Sequence, residues 1–308
     1  MGDKTSAASQ VAVVVAPSGT SIQILGDRLT AALKDAGVMQ FGPVRMLGDE
    51  GFAAVEQPFE HLHPADMRRA LEIEFEGEAD ICVLPVKDRR KKLLISDMDS
   101  TIIDQECLDE LAGFAGLKEE ISAITARAMA GELDFESALR ERVAKLNGLS
   151  TDALKQCYEE LITLAPGART LVSTMAANGA RCVLVSGGFT FFTERVAKAC
   201  GFHAHRGNTL IDDGTTLTGS VASPILGREA KLTALKEEAE SLGITLMQSV
   251  AMGDGANDLD MIEASGLGLA VHAKPVVAAA SNAAINVTDL TAALYFQGYG
   301  DSEIVWQR

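Results

Sequence analysis

The stretch KKLLISDMDSTIID, residues 91–104, runs from an apolar segment straight into two aspartates one residue apart, Asp97 and Asp99. An apolar strand of this kind belongs in a core. Two like charges that close repel each other, and burial makes the repulsion worse, so something must offset the cost. Two more apolar runs end in the same manner: CVLV leads into Ser186-Gly187-Gly188, and SVAM into Gly253-Asp254-Gly255. Apolar strands alternating with helical segments imply a parallel sheet covered on both faces, and ligands of such sheets bind beyond the carboxyl ends of the strands. Three loops separated by about 90 and about 70 residues therefore converge on one pocket. Singly, each has a structural reading: Asp99 and Ser100 as helix caps, Ser186 as a cap before FTFFTERVAKAC, Gly253 and Gly255 as turn residues. Jointly, the three strand ends carry the parts of one kind of site.

Around this core the chain divides into 1–86, a linker at 87–92, and 93–308. In the first unit VAVVVA (11–16) reads as a strand. A helix capped within Ser18–Ser21 follows, with Ile22, Leu25, Leu29 and Leu33 on one face. Two short strands flank the turn at 48–51, a helix runs from Pro64 to Phe75, and ADICVLPV closes a βαββαβ order. The basic run KDRRKK reads as a solvated connection. Beyond it, strands are expected at 93–97, 181–186, 246–252, 267–271 and 284–287. Helices are expected near 167–178, 190–200, 228–242, 257–265 and 276–283. Residues 105–165 read as a wholly helical cap, and NTLIDDGTTLTGSV (208–221) as a hairpin turning at Asp213-Gly214. The expected fold is α/β, a Rossmann-like parallel sheet with helices on both faces and an inserted helical cap, preceded by a small ferredoxin-like α+β domain.

Composition narrows the function. With 308 residues, 47% apolar content and a formal net charge of −16, the chain is globular and acidic, which argues against nucleic-acid binding and a polybasic membrane anchor. Its five scattered cysteines form no CxxC pair and fit a reducing compartment. MGDKTSAASQ lacks the apolar stretch of a signal peptide, no run reaches membrane-spanning length, and the sequence points to the cytoplasm. GDGAND is not a dinucleotide fingerprint, because Asp258 replaces its third glycine and would repel a pyrophosphate. VSGG is not a hydrolase nucleophile elbow, for it lacks the preceding glycine.

A paired-aspartate site suits phosphoryl transfer. One carboxylate attacks phosphorus and forms an aspartyl-phosphate, while the other gives a proton to the leaving alkoxide and later takes one from water. Asp97 and Asp99 fit those roles, since residues i and i+2 of an extended segment face one way and mutual repulsion raises one pKa. The surplus negative charge calls for Mg²⁺, with Asp97, Asp254 and the backbone carbonyl of Asp99 as ligands. Ser186, the amides of Gly187 and Gly188, and a lysine would hold the transferring oxygens.

With these residues, the chain resembles the haloacid dehalogenase superfamily over 93 to about 290. DMDST is similar to its DxDx[TV] motif, VSGG to its hydroxyl-bearing second motif and GDGAND to its acidic fourth. More closely it resembles the phosphoserine phosphatases, which release serine from O-phosphoserine as the last step of serine biosynthesis. The cap carries that closer resemblance, through Glu106 in DQECLDELA and Met129, Phe135 and Arg142 in MAGELDFESALRERV. The resemblance implies that Glu106 faces the substrate ammonium and Arg142 clamps its carboxylate. It also carries the phosphate-binding lysine to Lys231, with Arg228 as a nearby substitute, gives Asn257 a substrate hydrogen bond and has Asp258 support the metal shell. Leu232 follows the lysine where the family usually has glycine. The N-terminal unit resembles ACT-like domains, which leaves serine binding, dimerisation into a homodimer and plain packing all open. Two alternatives stand beside hydrolysis: transfer to another hydroxyl acceptor, and an amino-acid-sensing regulator with a degenerate phosphatase half. His203 and His205 are spaced like metal ligands on a strand but have no acidic or thiol partner beside them and read as surface residues, as do His61 and His63.

Overall fold

The computed structural model describes residues 10–129 and 132–307. The N-terminal unit contains β1 (Gln10–Ala16), α1 (Ile22–Asp35), β2 (Gln40–Phe41), β3 (Arg45–Gly48), β4 (Ala53–Glu60), α2 (Pro64–Glu74) and β5 (Asp80–Pro85). Its antiparallel sheet has the order β2-β4-β1-β5, with β3 also paired to β4, as a βαββαβ ferredoxin-like unit requires. The Ser21 hydroxyl caps α1 by accepting from the Ile24 amide, and Leu25, Leu29 and Leu33 of that helix are buried. The unbroken apolar run of β1 has a clear cause. Ala12, Val14 and Ala16 pack under α1 and α2, while Val11, Val13 and Val15 join the core shared with the rest of the chain. Both faces of this sheet are covered, so neither alternates with polar residues.

The second unit begins with β6 (Leu93–Ser96). Its cap comprises α3 (Cys107–Phe114), α4 (Lys118–Met129), α5 (Phe135–Ala144) and α6 (Thr151–Leu161), followed by α7 (Ala168–Ala177), β7 (Arg181–Phe189), α8 (Thr190–Cys200) and β8 (Ala204–Asn208). The hairpin β9 (Leu210–Asp212) and β10 (Leu217–Val221) precedes α9 (Arg228–Ser241), β11 (Ser249–Gly253), α10 (Leu259–Ala264), β12 (Leu267–Val271), α11 (Pro275–Ala280), β13 (Ala283–Ile285) and α12 (Ala292–Phe296). Six strands form a parallel sheet in the order β13-β12-β11-β6-β7-β8. Leu94 and Leu184 face the cluster containing α7 and α8, whereas Ile95, Val183 and Val185 face Ala234 and Leu235 of α9. The helices thus lie on both faces, and the active-site loops fall at one end of the sheet. β8 extends the sheet by a strand beyond those expected, and residues 246–248 form a 3-10 turn before β11 begins. Among the described residues no helix is long and apolar enough to cross a membrane.

The basic run at 87–92 is solvated only in part: Lys87, Asp88, Arg90 and Lys92 are exposed, whereas Arg89 and Lys91 are not. Arg89 is buried, pairs with the buried Glu56 and donates to the carbonyls of Phe296 (2.7 Å) and Tyr295 (3.1 Å). Lys91 is buried and donates to the carbonyls of Asp88 and Met247. A charge that leaves water needs partners, and here carbonyls at the end of α12 supply them. More bonds join the two units. The Asp80 carboxylate accepts from the amides of Asn286, Val287 and Thr288. Arg68 donates to the carbonyls of Ala278 and Ser281 at the end of α11.

Candidate active site

β6 ends one residue before Asp97, whose Oδ1 accepts from the Met98 amide at 2.8 Å. The chain then leaves extended geometry. Amides of Thr101, Ile102 and Ile103 all turn back to the Met98 carbonyl, and Ser100 takes a left-handed φ of 52°. The Asp97 amide still donates to the Met252 carbonyl of β11 at 3.0 Å, and Asp99 follows where the chain turns. Its Oδ1 accepts from the Cys107 amide at 2.8 Å and its Oδ2 from the Ser186 hydroxyl at 3.0 Å. Burial, and then the charge of Asp97, push the Asp99 carboxyl up from its ordinary range. A raised pKa is what a proton donor to a leaving alkoxide needs.

Lys231 is the centre of the charge arrangement. It projects from the second turn of α9 and is 1% exposed, with Nζ 2.6 Å from both Asp97 Oδ2 and Asp258 Oδ1. Burial alone would lower its pKa, but the two carboxylates raise it, and the ammonium stays charged. Arg228 is excluded from that role, since it is half exposed and paired with Asp260. Gly253 leaves no room for a side chain, because a Cβ there would lie 2.3 Å from Asp258 Cγ. That close approach, and not a turn, explains the glycine. Asp258 Oδ2 also accepts from the Gly255 amide at 3.1 Å.

Carboxylate oxygens of Asp97, Asp254 and Asp258 lie within 4.8 Å of one another. The Asp99 side chain is engaged with Ser186 and Cys107, so of Asp99 only the backbone carbonyl is left to a metal. Burial and the Asp97 charge push Asp254 up to about 6, and push Asp258 upward against the pull of Lys231. A set of hard oxygens with surplus negative charge fits a divalent cation such as Mg²⁺.

The cap supplies the other wall. Ser100 Oγ donates to Glu106 Oε1 at 2.8 Å. Glu106 is exposed at its edge, yet the protein around it displaces part of its water, and this, followed by the charges of Asp99 and Asp254, pushes it up to about 7. Arg142 is half-buried on α5 and forms no ion pair among the described residues; burial lowers its pKa against the pull of Asp109 and Glu106. Phe135 lies across the glycine backbone of the core, 3.2 Å from where a Cβ on Gly187 would sit and 3.3 Å from one on Gly227. Met129 ends α4, but its side chain lies outside the described residues. Asn257 sits half-buried in the loop after β11, its Oδ1 2.3 Å from where a Cβ on Gly255 would be. His203 and His205 stay apart from the site: the ring of His203 accepts from the Cys182 amide, and that of His205 pairs with Thr193.

Sequence reasoning missed Asn208. Its buried side chain bonds the Gly187 loop and the segment before α9. The only local signal was an asparagine opening the hairpin, where turn chemistry explains it equally well.

The profile of the haloacid dehalogenase-like hydrolases matches residues 94–263. A phosphoserine phosphatase of Streptomyces coelicolor is 41% identical over 255 residues, 82% of this chain and 62% of its own length. A probable phosphoserine phosphatase of Schizosaccharomyces pombe is 43% identical, over 70% of this chain and 72% of its own. A solved haloacid dehalogenase family hydrolase from Salmonella enterica serovar Typhi superposes with a TM-score of 0.82 at 28% identity, covering 93% of this chain and 99% of that one. The chain belongs to the haloacid dehalogenase-like hydrolases and, within them, to the phosphoserine phosphatases.

Proposed function

We propose that the chain hydrolyses O-phosphoserine to serine and inorganic phosphate as a Mg²⁺-dependent cytoplasmic enzyme. The observation that carries this reading is the Lys231 ammonium, 2.6 Å from Asp97 and from Asp258, with Asp99, whose carboxyl burial pushes upward, bonded to Ser186. Lys231 and the Met98 amide hold Asp97 as an oriented anion. An Asp97 oxygen forms a bond to phosphorus as the bond to the serine oxygen breaks, and Asp99 gives its proton to that oxygen. Asp99, now a carboxylate, takes a proton from water as the water oxygen attacks phosphorus. Phosphate then leaves and the Asp97 carboxylate is restored.

Ser186 and the Gly187 amide would face the transferring oxygens, where donors fixed in advance act most strongly, while the Gly188 amide is engaged with Ser186 Oγ. Mg²⁺ held by Asp97, Asp254 and the Asp99 carbonyl would screen the phosphate dianion from the carboxylates. Glu106 faces the substrate ammonium, Arg142 its carboxylate, and Asn257 the phosphate end.

The test is phosphate release from a panel of phosphorylated small molecules, with and without Mg²⁺ and with homoserine as a competing acceptor. Phosphoserine should lead the panel, chelation should stop turnover, and Asp97→Asn should be inactive yet folded, because an amide is a poor nucleophile. Faster transfer to homoserine than to water would replace hydrolysis with phosphotransfer. Full activity of Asp97→Asn would remove the covalent mechanism.

A further inference from the structure

β7 and β8 pair in register at Val185↔Arg206 and again at Phe189↔Asn208, so Ser186, Gly187 and Gly188 bulge from β7 opposite Gly207. A bulge re-aims side chains, but leaves backbone groups outside the strand ladder. One of those groups is the Gly187 carbonyl, and Asn208 satisfies it. Asn208 is 2% exposed, and its Nδ2 donates to Gly187 O at 2.8 Å and to Leu226 O at 3.1 Å. Its Oδ1 accepts from the Leu226 amide at 2.7 Å, which fixes which end of the side chain is which.

The Gly187 carbonyl and the Gly188 amide belong to one planar trans peptide and point in opposite directions. Holding the carbonyl therefore aims the amide. Gly188 N–H donates to Ser186 Oγ at 2.8 Å, and Ser186 Oγ donates to Asp99 Oδ2 at 3.0 Å. Gly188 has no space to adapt, since a Cβ on it would meet Asp99 Oδ2 at 2.8 Å and Ser186 Oγ at 3.0 Å. We infer that Asn208 is a positioning residue for catalysis, which fixes the Gly187–Gly188 peptide plane and through it the Ser186 hydroxyl against Asp99. It touches neither substrate nor reacting atoms. The inference rests on the phosphatase reading, which gives Ser186 and Asp99 their work.

The test is a double-mutant cycle between Asn208→Ala and Ser186→Ala, read as kcat and KM for phosphoserine release. Asn208→Ala alone should lower kcat about tenfold to a hundredfold, a fraction of the loss from deleting an oxyanion donor outright, and move KM less. In the Ser186→Ala background the same substitution should cost less than about threefold, because its route of action is already gone. Equal costs in both backgrounds, or an unchanged kcat with a lower melting temperature, would make Asn208 merely structural and overturn the inference. Asn208→Asp keeps the shape and the acceptor for Leu226 but opposes an oxygen to the Gly187 carbonyl, so it decides the matter if the alanine variant does not fold. If the aspartate variant also fails to fold, the positioning role is likewise overturned. A wild-type chain that releases no phosphate from the panel sinks the phosphatase reading instead, and a phosphate-induced rise in melting temperature that persists in Asn208→Ala then counts against the inference.

Discussion

At the scale of single residues, the proposed function has Arg142 and Glu106 divide the recognition of a zwitterion between them. The half-buried Arg142 guanidinium donates from Nε to the Ala138 carbonyl at 3.3 Å but has no ion pair among the described residues, which suits it to an incoming carboxylate. Arg142→Ala should lower kcat/KM for phosphoserine about a hundredfold, yet leave a carboxylate-free phosphate ester within about threefold, as expected for one bidentate charge-assisted contact. Equal losses on both substrates would remove the reason for assigning serine. Glu106 makes a prediction about pH. Its folded pKa of about 7 lies above the ordinary 4.5, so between those values the folded chain binds the proton more tightly than the unfolded chain. Stability in divalent-free buffer should fall as pH rises from about 5 to about 7, with Asp254 acting in the same direction, and Glu106→Gln should flatten the slope. Superimposable melting curves of variant and wild type across that range would contradict it. Thr101 is simpler. Its hydroxyl is buried with no hydrogen-bond partner among the described residues, so Thr101→Val, of the same shape, should stabilise the chain by about 1 kcal/mol in a denaturant titration.

At the scale of elements, the cap is larger than the helical insertion. The β9–β10 hairpin belongs by sequence to the core domain, but its backbone is stitched to the loop between α5 and α6. The Gly148 amide donates to Leu217 O and the Leu217 amide to Leu149 O, both at 2.8 Å, and the Thr151 amide donates to Thr215 O at 2.9 Å. Gly219 packs on Asn147 and Ala144. At the opposite end the two chain passages into the cap are clasped together, where Gln105 both donates to and accepts from Thr163. A cap that opens and closes around substrate should carry the hairpin with it. Hydrogen exchange at 210–221 should therefore slow on substrate binding together with exchange at 107–161. Protection of the helices alone would show the hairpin to be a fixed part of the core.

At the scale of the whole molecule, the N-terminal unit is bound to the phosphatase unit by buried charge as well as by apolar contact. Glu56 reaches across from β4 to Arg89, and Arg89 in turn closes the carbonyl end of α12. Arg89→Ala leaves Glu56 with Arg45 alone and strips the Tyr295 and Phe296 carbonyls of their donor, so it should cost about 1–3 kcal/mol of stability. The loss should appear in a single cooperative transition. Two separate transitions in the wild-type chain would mean that the units unfold independently. The inner face of the N-terminal sheet is consumed by this contact, which restricts any homodimer or serine site to the edges and the helical face of that unit.

The chemistry was legible from residues 97, 99, 186 and 254, because a parallel sheet places its strand ends on one side and residue types there have few other uses. The order of elements followed for the same reason: apolar runs of strand length and helical periodicity are local properties. Distances between remote segments are not local. No periodicity reports that Lys231 reaches Asp97, that a buried arginine sits in a mostly exposed linker, or that Asn208 braces the bulge that carries Ser186. Sequence alone determined most of the elements and which residues to propose as the reacting groups, whereas only packing decided which polar side chains left water together, since the cost of burying each is met by partners from elsewhere in the chain.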